Sequence, residues 1–125
     1  MKRILSGVQP SGQIHLGNYL GAIRNHIEMQ KKHETYLFIA DLHALTTVRD
    51  PKEMQENILN LTKAYIALGL DTKKTVFFQQ SALPEHAELC WILDSLTPMG
   101  LLERAHAWKD AKAKGTKEAT VGLFN

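Results

Sequence analysis

A stretch of sixteen residues near the amino terminus holds the side chains best suited to chemistry. It reads SGVQPSGQIHLGNYLG, from Ser6 to Gly21, and it places the imidazole of His15 three residues before the amide of Asn18. The residues after His15 are spaced four, three and four apart in a pattern that predicts a helix: Leu16, Leu20, Ile23 and Ile27. A helix start offers free backbone N–H groups and the positive end of the helix dipole, and both attract phosphate. The stretch therefore predicts a strand, a glycine-rich turn and a helix start that bind a nucleotide triphosphate.

Three glycines and two polar side chains give this turn its expected character. Gly7, Gly12 and Gly17 are expected to let the backbone adopt unusual angles or approach a ligand closely. His15 and Asn18 add side-chain donors beside the backbone amides. The chain contains neither GxGxxG nor GxxxxGK, so these two phosphate-binding patterns are excluded.

Strands and helices alternate three times, which predicts an α/β fold with a parallel sheet and right-handed crossovers. The predicted strands are residues 3–5, 35–40 and 75–79, and the continuous apolar run at 35–40 is expected to be buried on both faces. Ligands of such sheets lie beyond the carboxyl ends of the strands. The three polar segments that come after the strands are therefore expected to converge there: 7–18, 41–46 and 80–81.

The remaining chain predicts helices and one polar loop. Asp50 and Pro51 open a helix that Gly69 ends, and its predicted core stripe is Met54, Ile58, Leu61, Tyr65 and Leu68. A second helix begins at Pro84, with a predicted buried side of Ala87, Cys90, Trp91 and Leu93. Residues 101–108 are expected to be helical, whereas the lysine-rich residues 109–120 predict a mobile loop.

Composition limits the possible classes of protein. A chain of 125 residues with 44% hydrophobic and 22% charged residues is typical of one compact globular domain. Its net charge of +2 is too small to indicate nucleic-acid binding by itself. The single cysteine excludes disulfides and cysteine-based zinc sites within the chain. With no apolar run near the roughly 20 residues of a membrane span and no secretory signal at the start, we expect no membrane association and a cytoplasmic location.

The longer string SGVQPSGQIHLGNYLGA resembles the opening of the tryptophanyl-tRNA synthetases, and His15-Leu16-Gly17-Asn18 resembles the HIGH signature of class I aminoacyl-tRNA synthetases. The likeness extends over nearly the whole chain, through residues 41–46, 80–87 and 122–125. It implies a Rossmann-like parallel sheet with flanking helices, in which residues 1–125 form the N-terminal part of the nucleotide-binding catalytic domain. It also implies an activity: tryptophan attacks the α-phosphate of ATP, and the aminoacyl group then passes to tRNA(Trp).

The resemblance assigns roles to individual residues. The expected catalytic residues are His15, Asn18 and Lys112, with Lys109 as the alternative to Lys112 for contacting pyrophosphate. The residues expected to bind ATP are Gln9, Pro10, Ser11, Gly17 and Asn18. Those expected to bind tryptophan are Leu5, Gly7, His43 and Gln80. Mg²⁺ is expected to accompany ATP, the protein itself is expected to hold no metal, and a homodimer is expected.

One departure from the family qualifies these expectations. The second signature of the family, KMSKS, is missing, and residues 114–117 do not replace it. The chain is therefore expected to be an N-terminal fragment that is inactive or very weak in isolation. Three alternatives remain open: an enzyme like tyrosyl-tRNA synthetase, a stand-alone nucleotidylyltransferase of the HxGH type, and a non-catalytic nucleotide-binding or dimerising module.

Overall fold

The computed structural model describes residues 1–113 and 122, with the backbone alone at residues 107, 111 and 112. The chain divides into two compact units, residues 1–82 and residues 83–125. The first unit contains all of the described sheet and the helices that pack on it. The second contains helices alone among its described residues.

Three parallel strands in the order β1-β2-β3 form the sheet of the first unit. They are β1 (Arg3–Val8), β2 (Glu34–Ile39) and β3 (Thr75–Gln79). The predicted α/β class and the parallel sheet are confirmed. β1 runs further than expected and includes Gly7, which the sequence placed in the turn. The last residues of the three strands are aligned, because Val8 pairs with Ile39 and Ile39 pairs with Gln79.

One face of the sheet carries the core of this unit. The strand register puts Val8, Leu37, Ile39 and Phe77 on a single face, and helical residues pack against them to form one cluster: Ile23, Ile27, Ile58, Leu61 and Tyr65. On the opposite face, Leu5 is 64% exposed and Val76 is 50% exposed. Burial therefore alternates along β2, and the expectation of a strand buried on both faces is wrong. An apolar run in the sequence shows that both faces of a strand are apolar. It does not show whether helices cover both faces of the sheet.

The helix after the glycine-rich turn changes its winding part-way along. It begins as α1 (Leu16–Asn18), passes through a π-helical turn (Tyr19–Ile23) and continues as α2 (Arg24–Met29). Ile23 is fully buried, whereas Leu16 and Leu20 are exposed. A π turn adds a residue to the winding, so α1 is rotated about the helix axis relative to α2. The apolar residues spaced four, three and four apart therefore do not form one continuous buried stripe.

Two further helices complete the first unit, α3 (Asp41–Ala44) and α4 (Pro51–Ala67), together with a 3₁₀ turn (Gln80–Ala82). The Asp50 side chain caps α4 by accepting from the backbone N–H groups of Lys52 at 2.8 Å and Glu53 at 3.0 Å, as predicted. Gly69 comes after the helix with φ +105°. The predicted stripe holds up to Tyr65, but Leu68 is exposed and Leu70, beyond the glycine, is buried instead.

The second unit differs most from the sequence expectation. Its helices are α5 (Glu85–Leu96), α6 (Met99–Leu102) and α7 (His106–Ala113). α5 buries no residue: the expected core residues Ala87 and Leu93 are exposed, Trp91 is 74% exposed, and Cys90 is half-buried. The helix expected at 101–108 is interrupted, and residues 109–113 are helical where a loop was expected. Among the described residues, no helix combines the length and apolar content that crossing a membrane requires.

A buried histidine joins three elements of the first unit. His26 on α2 hydrogen-bonds through Nε2 to Ser6 Oγ on β1 at 2.9 Å and through Nδ1 to Tyr65 Oη on α4 at 2.8 Å. Burial lowers the pKa of His26 and raises that of Tyr65. Burial thus favours the neutral form of the imidazole, which links the strand that precedes the glycine-rich turn to both covering helices.

This histidine predicts a pH dependence of stability. Because the pKa of His26 is lowered on folding, the unfolded chain takes up the proton first, so the free energy of unfolding should fall as the pH drops below the ordinary value of 6.5. Urea unfolding at pH 7.5, 6.5 and 5.5 should show a weaker pH dependence for His26→Gln than for the wild type. His106→Gln, which changes an exposed histidine, is the control and should retain the wild-type slope. An identical slope in His26→Gln would show that this imidazole is not the titrating group.

Candidate active site

The two polar residues singled out in the sequence form a reciprocal cap at the start of α1. The Asn18 side chain accepts through Oδ1 from the backbone N–H of His15 at 2.9 Å, and His15 Nδ1 accepts from the backbone N–H of Gly17 at 3.1 Å. The predicted position of His15 at the helix start is confirmed. The backbone N–H groups of His15 and Gly17 are already bonded, however, so they are not the free amides that the sequence suggested for phosphate.

The cap determines which atoms remain available to a ligand. Because His15 Nδ1 accepts a hydrogen bond, the proton of the neutral imidazole lies on Nε2 and can be donated outwards. Because Asn18 Oδ1 is used in the cap, its Nδ2 group is the part left to donate. The His15 side chain is exposed and Asn18 is half-buried. One half of each side chain therefore serves the fold, while the other half presents N–H donors.

Gly17 leaves room for the His15 imidazole in its capping position. A Cβ at this position would lie 2.8 Å from Cε1 and 2.9 Å from Nδ1 of His15, which is shorter than van der Waals contact. Gly12 is required for a different reason, since its φ of +70° is in the left-handed region while nothing lies within 4 Å of its Cβ position. At Gly17 the lack of a side chain leaves space for the His15 ring, whereas at Gly12 it permits a positive φ.

The segment between β1 and α1 is held against the neighbouring turn. Gln9 Nε2 donates to Thr47 Oγ1 at 3.1 Å, and the backbone N–H of Ser11 donates to the carbonyl of Gln9 at 3.0 Å. Pro10 is buried. We call residues 9–14 the 9–14 loop.

A shallow pocket lies between the 9–14 loop and α4. Its lining residues are Val8, Gln9, Pro10, Ser11, Gly12, Gln13, Ile14, Asn18, Asn57 and Leu61. Four of the five residues predicted to bind ATP line it together, and Gly17 is the one that does not. His15 does not line the pocket either, but its cap fixes Asn18, which does. The corner chosen from the sequence is therefore a concave surface with an amide donor.

The segments after β2 and β3 meet at the same edge of the sheet. Ser81 donates to the buried carboxylate of Asp41 through its backbone N–H at 3.0 Å and through its hydroxyl. The backbone N–H of His43 lies 3.4 Å from Oε1 of Gln80. The predicted convergence is confirmed, and it brings together His43 and Gln80, two of the residues expected to bind tryptophan.

The other two residues expected to bind tryptophan lie on the open face of the sheet. Leu5 and Gly7 alternate with the core residues of β1 and are exposed. A Cβ on Gly7 would lie 2.6 Å from the ring of Phe38, its partner on β2. The structure thus places the expected nucleotide residues on the helix-covered side and this pair on the opposite side.

The two lysines proposed to contact pyrophosphate belong to α7 in the second unit. Lys109 is exposed, while the side chain of Lys112 lies outside the described residues, so the choice between them stays a prediction. Across the part of the chain that the structure describes, no three His, Cys, Asp or Glu side chains come close enough to hold a metal ion.

Three contributions to this site were not identified individually from the sequence, although Asp41 belongs to the segment 41–46 that was expected to converge there. They are the lining residue Asn57, the Asp41 carboxylate that holds Ser81, and the Thr47 hydroxyl that holds Gln9. Asn57 could have been found, because it lies four positions before the core residue Leu61 and therefore on the inner side of α4. The other two are contacts across about forty positions of sequence, which local patterns do not report.

Comparison with known proteins agrees with this geometry. The family described as class I tRNA synthetases (W and Y) matches residues 1–125. The tryptophan–tRNA ligase of Rhodopirellula baltica is 56% identical over 122 residues, which are 98% of this chain and 38% of that protein. The crystal structure of tryptophanyl-tRNA synthetase from Campylobacter jejuni with ADP and tryptophan is 48% identical with a TM-score of 0.87, and the match covers 98% of this chain and 38% of that one.

A more distant likeness concerns the fold alone. Tyrosyl-tRNA synthetase from Archaeoglobus fulgidus matches with a TM-score of 0.72 at 22% identity, over 98% of this chain and 39% of that one. The chain thus spans less than two fifths of the length of the relatives it matches.

The contact between Gly17 and His15 predicts that a substitution can displace the His15 ring without a loss of folding. Gly17→Ala should displace the imidazole. The helix propensity gained, up to about 1 kcal/mol, should offset the capping bond from the residue 17 N–H to His15 Nδ1 that is lost, so the stability should stay near that of the wild type. Gly21→Ala is the matched control, because its Cβ meets nothing within 4 Å in the same continuous helix. Urea unfolding and the NMR signals of the His15 ring measure the two effects. Unshifted His15 signals in Gly17→Ala would contradict this account.

Proposed function

We propose that this chain supplies the ATP-binding part of a tryptophan–tRNA ligase. It belongs to the class I tRNA synthetases, in the family for tryptophan and tyrosine (W and Y). The observation that carries the proposal is the capped His15–Asn18 helix start beside the pocket, in a chain 56% identical to a tryptophan–tRNA ligase. The enzyme as a whole would activate tryptophan with ATP and transfer it to tRNA(Trp). Since the matched relatives are much longer, the activity, substrates and partners are proposed for the whole protein.

In the proposed reaction, the tryptophan carboxylate attacks the α-phosphate of ATP, tryptophanyl-adenylate forms, and pyrophosphate leaves. The chain does no covalent work in this step, so its contribution is to position ATP and to stabilise developing negative charge. His15 Nε2–H and Asn18 Nδ2 are the donors that the cap leaves unused, and we assign them to phosphate oxygens. Both donors are neutral, so they orient the triphosphate and leave charge neutralisation to cations.

We assign that neutralisation to two sources. Mg²⁺ would arrive on the phosphate oxygens of ATP, since the described residues offer no carboxylate or histidine cluster for it. One of the lysines at 109 and 112 would contact the pyrophosphate. The remaining assignments follow from the sequence resemblance to the family and are part of the proposal: tryptophan near Leu5, Gly7, His43 and Gln80, tRNA(Trp) as the acceptor, a homodimer as the assembly, and the cytoplasm as the location.

Amino-acid specificity is the first test. Exchange of labelled pyrophosphate into ATP by the whole protein should depend on tryptophan and should not be supported by tyrosine. Equal exchange with tyrosine would replace the tryptophan assignment with a tyrosine enzyme. ATP binding without exchange by either amino acid would instead favour a non-catalytic nucleotide-binding module.

The role of Asn18 is tested by a substitution that keeps the cap. Asn18→Asp retains the oxygen that accepts from His15 but removes the Nδ2 donor and adds a negative charge beside the phosphates. The dissociation constant for ATP, measured by isothermal titration, should rise at least about tenfold, because a hydrogen bond to a charged group contributes roughly 1.5–3 kcal/mol. The matched control is Asn25→Asp, an identical change at an exposed position of α2. Equal affinity in Asn18→Asp and Asn25→Asp would remove Asn18 from the phosphate site.

A further inference from the structure

A buried carboxylate joins the segments that follow β2 and β3. Asp41, the first residue of α3, is 8% exposed. Its Oδ1 atom accepts from the backbone N–H of Leu42 at 3.1 Å and from that of Ser81 at 3.0 Å, and its Oδ2 atom accepts from the Ser81 hydroxyl. One side chain therefore fixes the start of α3 to the 3₁₀ turn that comes 40 positions later.

The residues beside this carboxylate are the two that the sequence resemblance assigns to tryptophan at this edge of the sheet. His43 comes two positions after Asp41, and Gln80 directly precedes Ser81. The two are linked by a contact of 3.4 Å from the His43 backbone N–H to Gln80 Oε1. This distance exceeds the usual range for an N–H to oxygen hydrogen bond, so the contact by itself holds the pair weakly.

The bonds to Asp41 are the stronger connection between the two segments. Hydrogen bonds to an ionised acceptor are roughly twice as strong as those between neutral groups. Both bonds from Ser81 are also shorter than the contact between His43 and Gln80. Because Ser81 donates through its backbone and its hydroxyl together, the carboxylate fixes the direction of the turn as well as its distance. Asp41 thus holds the turn that carries Gln80 against the helix that carries His43.

The pocket assigned to ATP is lined by other residues. Neither Asp41 nor Ser81 is among its lining residues, and the 9–14 loop is held by the bond from Gln9 to Thr47 instead. A change at the carboxylate is therefore expected to act on the site for one substrate and to spare the site for the other.

We propose that Asp41 is a positioning residue for the amino acid, whose carboxylate keeps His43 and Gln80 at the spacing at which they bind tryptophan. Its oxygens are occupied by backbone and hydroxyl donors, so Asp41 acts through these two neighbours. This inference rests on the proposed function, because tryptophan near His43 and Gln80 is part of that proposal.

Pyrophosphate exchange by the whole protein, with tryptophan and ATP varied in turn, tests this role. Ser81→Ala removes the hydroxyl bond and should raise the KM for tryptophan about fivefold, and Asp41→Ala removes the whole connection and should raise it at least about tenfold. The KM for ATP should stay within about twofold of the wild type in both variants. The double variant should match Asp41→Ala alone, because the Ser81 hydroxyl acts through the carboxylate.

Ser95→Ala is the matched control, because this serine hydroxyl also donates within the protein, to the carbonyl of Trp91 in α5 at 2.9 Å. It should change neither KM. A wild-type KM for tryptophan in Ser81→Ala would overturn this inference and leave the proposed function standing, and this variant decides the question if Asp41→Ala does not fold. Equal rises in the two KM values would also overturn it, because the carboxylate would then support the fold in general. A wild-type protein without tryptophan-dependent exchange would contradict the proposed function instead.

Discussion

The alignment of the three strand ends is the constraint on which the rest of this site depends. Val8, Ile39 and Gln79 occupy one row of the parallel sheet. The segment after each strand therefore begins at the same height, and short side chains suffice to connect the three segments. Gln9 bonds Thr47, and Asp41 bonds Ser81. A shift of one strand by a single residue would turn its side chains to the other face and separate these pairs.

At the start of α1, the side chains of His15 and Asn18 each use one polar atom in the helix cap and leave another outside it. His15 and Asn18 cap each other's neighbouring backbone, and each side chain retains one nitrogen that the cap does not use. The cap fixes both the tautomer of the imidazole and the orientation of the amide before a ligand arrives. A preorganised donor pair loses less conformational entropy on binding than two free side chains would. The cost is that the same backbone amides are no longer available to an anion.

Large parts of the fold could be predicted from local patterns. The parallel α/β order, β3, the capped start of α4 and its glycine stop depend on turn chemistry and periodicity within a few residues of each other. Burial could not be predicted in the same way. β2 has one covered face, and α5 exposes Trp91 and Leu93 despite its apolar composition. Apolar residues show that a surface can be buried, but the arrangement of other elements decides whether it is.

The sequence by itself determined the chemistry of the corner: a glycine-rich turn, an imidazole and an amide at a helix start, because each depends on residues within a few positions of one another. Tertiary structure decided what surrounds that corner. Asn57, Asp41 and Thr47 reach it across tens of positions of chain. The absence of a side chain at Gly17 is likewise explained only by the structure, in which the ring of His15 lies close to the position of a Cβ. Contacts of this kind are set by strand pairing and helix packing, which no short stretch of residues encodes alone.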